Sequence, residues 1–222
     1  MLKLIIGNRA YSSWSMRGWL AVKQSGEEFE ELVVPMFDDE WEKRREGDEF
    51  APSLGKVPIL WDGDCVVWDS LAIIEFLADR VGRDKFWPAD ESARAVARSM
   101  SAEMHSSFQN LRRELPMNVR KSFSPRALSD PVREEIDRIM VLWAQARARH
   151  GGTGDFLFGN WCAADIMYAP VVTRFITYGV PVPAFAGAYM KAVLSHPHVN
   201  EWIDKAQDEP WVIEQYEDDK AA

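Results

Sequence analysis

Apolar positions along this chain change their period after its first third. Leu2, Leu4, Ile5 and Ile6 form a short strand pattern ended by Gly7-Asn8. After the polar stretch Arg9 to Ser15, Met16, Trp19, Leu20 and Val22 fall at helical spacing up to Gly26. Phe29 to Val34 alternates as a strand and stops at Pro35, while the charged segment Asp38 to Glu49 fits either a surface helix or an irregular stretch. Gly55 to Trp61 reads as a strand with a proline near its start, Asp62-Gly63-Asp64 as a hairpin turn and Cys65 to Trp68 as the return strand. Asp69-Ser70 then opens a helix with apolar positions at Leu71, Ile73, Ile74, Phe76 and Leu77, closed by Gly82. The order β-α-β-(α)-β-β-α predicts a small mixed sheet with a hairpin at one edge and helices on its faces.

Beyond a linker at 83–90 that contains Pro88, the strand pattern disappears. Glu91 to Leu115, Ser129 to Arg149, Ala163 to Tyr178, Ala184 to Leu194 and His198 to Gln207 all read as helices, with Gly151-Gly152-Thr153-Gly154 as a flexible break. The expected organisation is an α/β domain over 1–82, the linker, and an all-α domain over 91–222.

Composition narrows the function classes. A chain of 222 residues with 47% hydrophobic content can build a full core without staples. Its ten tryptophans suit large buried surfaces, within the core or between domains or subunits. A net charge of −9 argues against nucleic acid as partner, and the densest basic group, Arg112, Arg113, Arg120, Lys121 and Arg126, is interleaved with Glu114 and Pro116. Cys65 and Cys162 lie far apart without zinc spacing, so neither a disulfide framework nor a metal site is expected. No apolar run of membrane-spanning length and no secretory pattern is present, which leads to the expectation of a cytoplasmic protein with no membrane partner.

Three places suit chemistry with an anion or an extended ligand. Tyr11-Ser12-Ser13-Trp14-Ser15-Met16-Arg17 lies where the first strand meets the first helix, and a helix N-terminus stabilises an anion such as a thiolate. Read alone, those serines are ordinary caps. Val57-Pro58 at a strand start is either an ordinary edge proline or a cis bond that presents the Val57 backbone to an extended ligand. Asp69-Ser70 caps the next helix, whose free N–H groups can also hold a carboxylate. Dinucleotide, phosphate-loop, nucleophile-elbow and zinc-protease motifs are all absent.

In this order, a serine at the first strand–helix junction, Lys56-Val57-Pro58 before a hairpin, Asp69-Ser70-Leu71-Ala72-Ile73-Ile74-Glu75-Phe76-Leu77 after it and a helical second half, the chain resembles the cytosolic glutathione transferases over essentially its whole length. Phe156-Leu157-Phe158-Gly159 followed by Ala164-Asp165-Ile166 is similar to that family's buried capping segment. The resemblance implies a thioredoxin-like N-terminal domain that holds glutathione, a helical domain that supplies a second-substrate pocket, a homodimer, and no metal. It implies a detoxifying transferase that joins the glutathione thiolate to an electrophilic small molecule. Alternatives within the resemblance are a zeta-like isomerase or dehalogenase and a non-catalytic ligand-binding member.

Carried onto this sequence, the resemblance gives Val57, beside Pro58, to the cysteinyl part of glutathione, Asp69 and Ser70 to its γ-glutamyl end, and Lys56 to a carboxylate. Ser12, fourteen residues before Gly26 and five before Arg17 as in the serine-type zeta and tau classes, becomes the catalytic hydroxyl, with Ser13 as the alternate and Tyr11 as a weaker one. His105, Phe108 and Arg112 are the expected second-substrate wall. His105 reads as a proton carrier, a pocket liner or a structural histidine, and Arg112, Arg113 and Arg120 as attractors of an anionic substrate or as a solvated face. Two positions depart from the family. Cys162 replaces the usual Ser or Thr of the capping segment, which leaves the capping to Asp165 or Asn160. The active position holds Ser where thiol-exchanging classes hold Cys, which argues against thiol–disulfide exchange. The tail Pro210 to Tyr216 either covers the cleft or packs on the helical domain.

Overall fold

The computed structural model describes residues 1–217. Strands β1 (Leu2–Ile6), β2 (Phe29–Val33), β3 (Ile59–Asp62) and β4 (Cys65–Trp68) form one sheet in the order β2-β1-β3-β4. β2 runs parallel to β1, while β3 is antiparallel to both β1 and β4. The parallel step is made by α1 (Ser13–Ser25), which Gly26 ends at φ 76, a left-handed conformation that glycine adopts without Cβ strain. The charged segment after β2 holds the short helix α2 (Asp39–Arg44), and β4 leads directly into α3 (Ser70–Val81). The sheet therefore lies between α1 and α3 on one side and Trp41 and Phe50 on the other, with Leu4 and Ile6 facing the first and Ile5 and Ile59 the second.

The remaining helices are α4 (Glu91–Ser106), α5 (Gln109–Glu114), α6 (Asp130–His150), α7 (Ala163–Thr177), α8 (Ala184–Ser195) and α9 (Pro197–Gln207). The single helix expected over 91–115 is broken: Ser107 is extended and Phe108 turns to φ 63. Arg112 explains the break. Its guanidinium folds back to donate to Met104 O and, at 3.2 Å, to Ser107 O, so it occupies carbonyls at the end of α4. Residues 218–222 of the expected helical domain lie outside the described residues.

α7 is buried along almost its whole length, as its apolar run requires. At its start Asp165 Oδ2 accepts the N–H of Cys162 at 2.9 Å and Oδ1 accepts that of Leu157 at 3.1 Å. One apolar core runs through both halves, with Trp19 of α1 packed 5.5 Å from Trp202 of α9. Buried arginines stitch the same seam: Arg17 Nε donates to Met167 O at 2.9 Å and Arg174 Nη2 to Ser13 Oγ at 3.2 Å. The tail packs partly on the helical domain, where Asn118 donates to Tyr216 O and Arg120 to Trp211 O, each at 2.9 Å, and partly on the N-terminal domain. Glu209 accepts the backbone N–H of Arg9 at 2.9 Å and of Ala10 at 3.3 Å, and Ile213 and Tyr216 pack on Ala10 and Tyr11. It is a strap across the loop that precedes α1.

Candidate active site

The start of α1, the turn before β3, the start of α3 and the α4–α5 junction meet around a cavity of about 860 Å³. Ser12, Lys56, Val57, Pro58, Asp69, Ser70 and His105 all line it. Local chain geometry brings them there, because the antiparallel pairing places the end of β1 beside the start of β3.

Ser12 is the N-cap of α1, with extended backbone (φ −89, ψ 94). Its Oγ accepts the N–H of Ser15 at 3.3 Å and lies 2.8 Å from Ser15 Oγ, which in turn accepts the N–H of Gly7 at 2.9 Å. Ser13 points elsewhere: its Oγ accepts from Arg174 Nη2 at 3.2 Å. The Val57–Pro58 bond is cis and lies outside the β3 ladder, which begins at Ile59. The Pro58 ring rests on Gly18 of α1, where a Cβ would come within 2.7 Å of its Cγ.

Asp69 is a non-glycine residue at φ 77, a backbone state that costs on the order of 1–3 kcal/mol and persists only when its surroundings hold it. Here Oδ1 accepts the N–H groups of Leu71 and Ala72 at 2.8 and 3.4 Å, and Oδ2 lies 2.6 Å from His105 Nε2. The carboxylate thus joins the start of α3 to α4. Ser70 is different. It is 1% exposed, and its hydroxyl has no partner among the described residues. A buried polar group left unpaired costs about 1–3 kcal/mol, so a ligand group that reaches it is favoured by that amount.

Trp14 forms the wall next to His105, with ring centroids 5.3 Å apart. The guanidinium groups of Arg17 and Arg112 sit 4.7 and 4.6 Å from the Trp14 ring. Burial holds Arg17 well below its ordinary pKa, and the neighbouring charges of Arg112 and Arg174 add to this, with Asp69 opposing. A guanidinium nevertheless keeps its proton at neutral pH, so the wall behind Trp14 is cationic. Phe108 and Arg112 do not line the cavity: Phe108 belongs to the core, and Arg112 is turned to the α4 carbonyls. Ser106 and Gln109 stand there instead, beside Trp41 and Trp68 from the other side. Nothing in their sequence context marks these four, since only the chain fold carries them to one place. Arg120 of the basic cluster also turns inward, donating to Tyr11 Oη, Glu209 O and Trp211 O, whereas Arg113 and Lys121 are exposed.

Comparison with known proteins agrees with this geometry. Residues 11–80 match the family described as glutathione S-transferase, N-terminal domain. A zeta class glutathione S-transferase of Euphorbia esula is 26% identical over 176 residues, 75% of this chain and 73% of that protein. The solved structure of a glutathione transferase homologue from Burkholderia, with bound glutathione, superposes with a TM-score of 0.71 at 22% identity, covering 94% of this chain and 99% of the other. A theta class glutathione S-transferase from Xanthomonas axonopodis pv. citri, also with glutathione bound, gives a TM-score of 0.65 at 19% identity, over 91% and 96% of the two chains. The four-stranded mixed sheet, the helical remainder and the matched N-terminal segment agree: residues 11–80 match the glutathione S-transferase N-terminal domain, and the chain as a whole has the glutathione transferase fold.

Proposed function

We propose that this protein binds glutathione in the cavity described above and transfers its thiolate to an electrophilic carbon of a small molecule. The observation that carries the reading is Ser70: a buried, unpartnered hydroxyl at a helix N-terminus, in the same cavity as the α1 cap and the Val57 backbone. Ser70 and the first free N–H of α3 receive the γ-glutamyl carboxylate. Asp69, beside it, takes the amino group of the same end. Val57 pairs its N–H and C=O with the cysteinyl segment as a short β-strand addition, and Lys56 meets the glycine carboxylate. This pose lays the sulfur at Ser12.

Ser12 then acts on the anion and not on the neutral thiol. A free thiol titrates near about 8.5, and a hydrogen bond to a charged group contributes about 1.5–3 kcal/mol, which lowers the bound thiol by about one to two units. The N-terminal end of α1 and the cationic wall behind Trp14 act in the same direction. The electrophile enters between Trp14, His105 and Gln109, and the new carbon–sulfur bond forms as the leaving group or electron pair moves away from the attacked carbon. The experiment is turnover by the purified protein against a panel of electrophiles with and without glutathione. Product bearing the glutathionyl group, formed only with the co-substrate, supports the reading; no glutathione binding at millimolar concentration contradicts it.

A further inference from the structure

Ser15 is the third serine of the α1 junction and the one without an assigned task. It is fully buried, and its Oγ stands between Gly7 N–H at 2.9 Å and Ser12 Oγ at 2.8 Å. Two hydroxyl groups this close carry two protons but share one hydrogen bond, and rotation about the C–O bond decides which of them donates. If Ser12 donates, the Ser15 proton is left over, because no acceptor other than Ser12 faces Ser15 Oγ among the described residues. If Ser15 donates, its proton is used, and the proton left over sits on Ser12, the member of the pair that lines the cavity. An anion in the cavity selects the second arrangement, in which every donor has an acceptor.

We propose that Ser15 is a positioning residue that aims the Ser12 proton at the bound sulfur. Gly7 N–H donates to Ser15 Oγ, Ser15 Oγ–H donates to Ser12 Oγ, and Ser12 Oγ–H donates to the thiolate. This rests on the reading of Ser12 given above. No proton passes between the serines: each O–H bond stays intact, and the proton lost by the thiol goes to solvent. The chain of donors orients and polarises Ser12, whose Oγ already accepts the Ser15 N–H at 3.3 Å.

The test is the ultraviolet titration of the thiolate in glutathione-saturated protein, for wild type, Ser12→Ala, Ser15→Ala and the double variant. Ser15→Cys, close in size and a poorer donor, is read in the same way and stands in if Ser15→Ala does not fold. The Ser15 variants are expected to raise the bound thiol pKa by about half a unit to one unit, a three- to tenfold loss of thiolate below both pKa values, with glutathione affinity within twofold. In the Ser12→Ala background the same change is expected to have no further effect. An equal shift in that background overturns the proposal, because Ser15 would then act without Ser12. A shift in Ser12→Ala but none in either Ser15 variant overturns it while Ser12 keeps its role. A depressed wild-type pKa that no variant moves overturns both.

Discussion

Ser70 separates a ligand-binding hydroxyl from a structural one. A capping serine stabilises its helix, so its loss costs the fold about 1 kcal/mol. The Ser70 hydroxyl is buried without a partner, and Asp69 already caps α3 through the Leu71 and Ala72 N–H groups. Ser70→Ala is therefore expected to leave the melting temperature of the free protein unchanged or raised, while calorimetry shows glutathione binding weakened by about tenfold, the loss of one hydrogen bond to a charged group. A lower melting temperature with unchanged affinity would make Ser70 a cap. Asp165 is the structural counterpart. Burial pushes its carboxyl up from the ordinary 3.8 to about 6, against the two N–H groups that it accepts. The folded state holds this proton more tightly than the unfolded chain, so the contribution to stability is fully present below 3.8 and is lost as pH rises through about 6. Denaturant unfolding of wild type against Asp165→Asn is expected to show that difference as about 2 kcal/mol between pH 4 and pH 7, and a flat difference would show that the carboxyl titrates normally. At this scale the sequence was legible where a residue acts with its chain neighbours, as Ser12 and Asp69 do. It put Arg112 in the second-substrate wall, whereas the guanidinium turns to partners five to eight positions back across a break in the helix.

Elements set the distances between those residues. α1 reaches the turn before β3 at a single close approach, Gly18 against Pro58, where an added Cβ would stand 2.7 and 2.8 Å from the ring carbons. Gly18→Ala is a stabilising change for an isolated helix by about 1 kcal/mol. Here it is expected to push the Val57–Pro58 turn outward, so glutathione affinity falls by about tenfold or more while far-ultraviolet circular dichroism retains its helical signal. Unchanged affinity would mean that the Val57 backbone is not part of the site. Strands, hairpin and caps were readable because each rests on local pattern: alternation in Phe29–Val33, a Gly63 turn, an Asp before α3. The end of α4 was not, because neither Gly nor Pro marks Ser107-Phe108, and a guanidinium from beyond the break occupies the terminal carbonyls.

For the whole molecule, the two halves share a core and the C-terminal strap holds the loop before Ser12 through Glu209. The order of elements was readable over the full length, whereas the path of the strap depends on backbone N–H groups some 200 positions away and has no local signature. Leu54 and Trp68 stand at the cavity rim 79% and 47% exposed. We propose that a second copy of the chain covers them. Sedimentation at micromolar concentration is expected to give twice the 25.4 kDa of one chain, and a species at 25.4 kDa alone would contradict it.

In the function proposed above, Ser12 makes bound glutathione an anion at neutral pH. The measurement that reaches it most directly is the pH titration of thiolate absorbance in the binary complex, wild type against Ser12→Ala. The wild-type midpoint is expected about one to two units below the free thiol's value of about 8.5, with a return toward that value in the variant while glutathione stays bound through Val57, Asp69 and Ser70. Identical midpoints for the two proteins would contradict it.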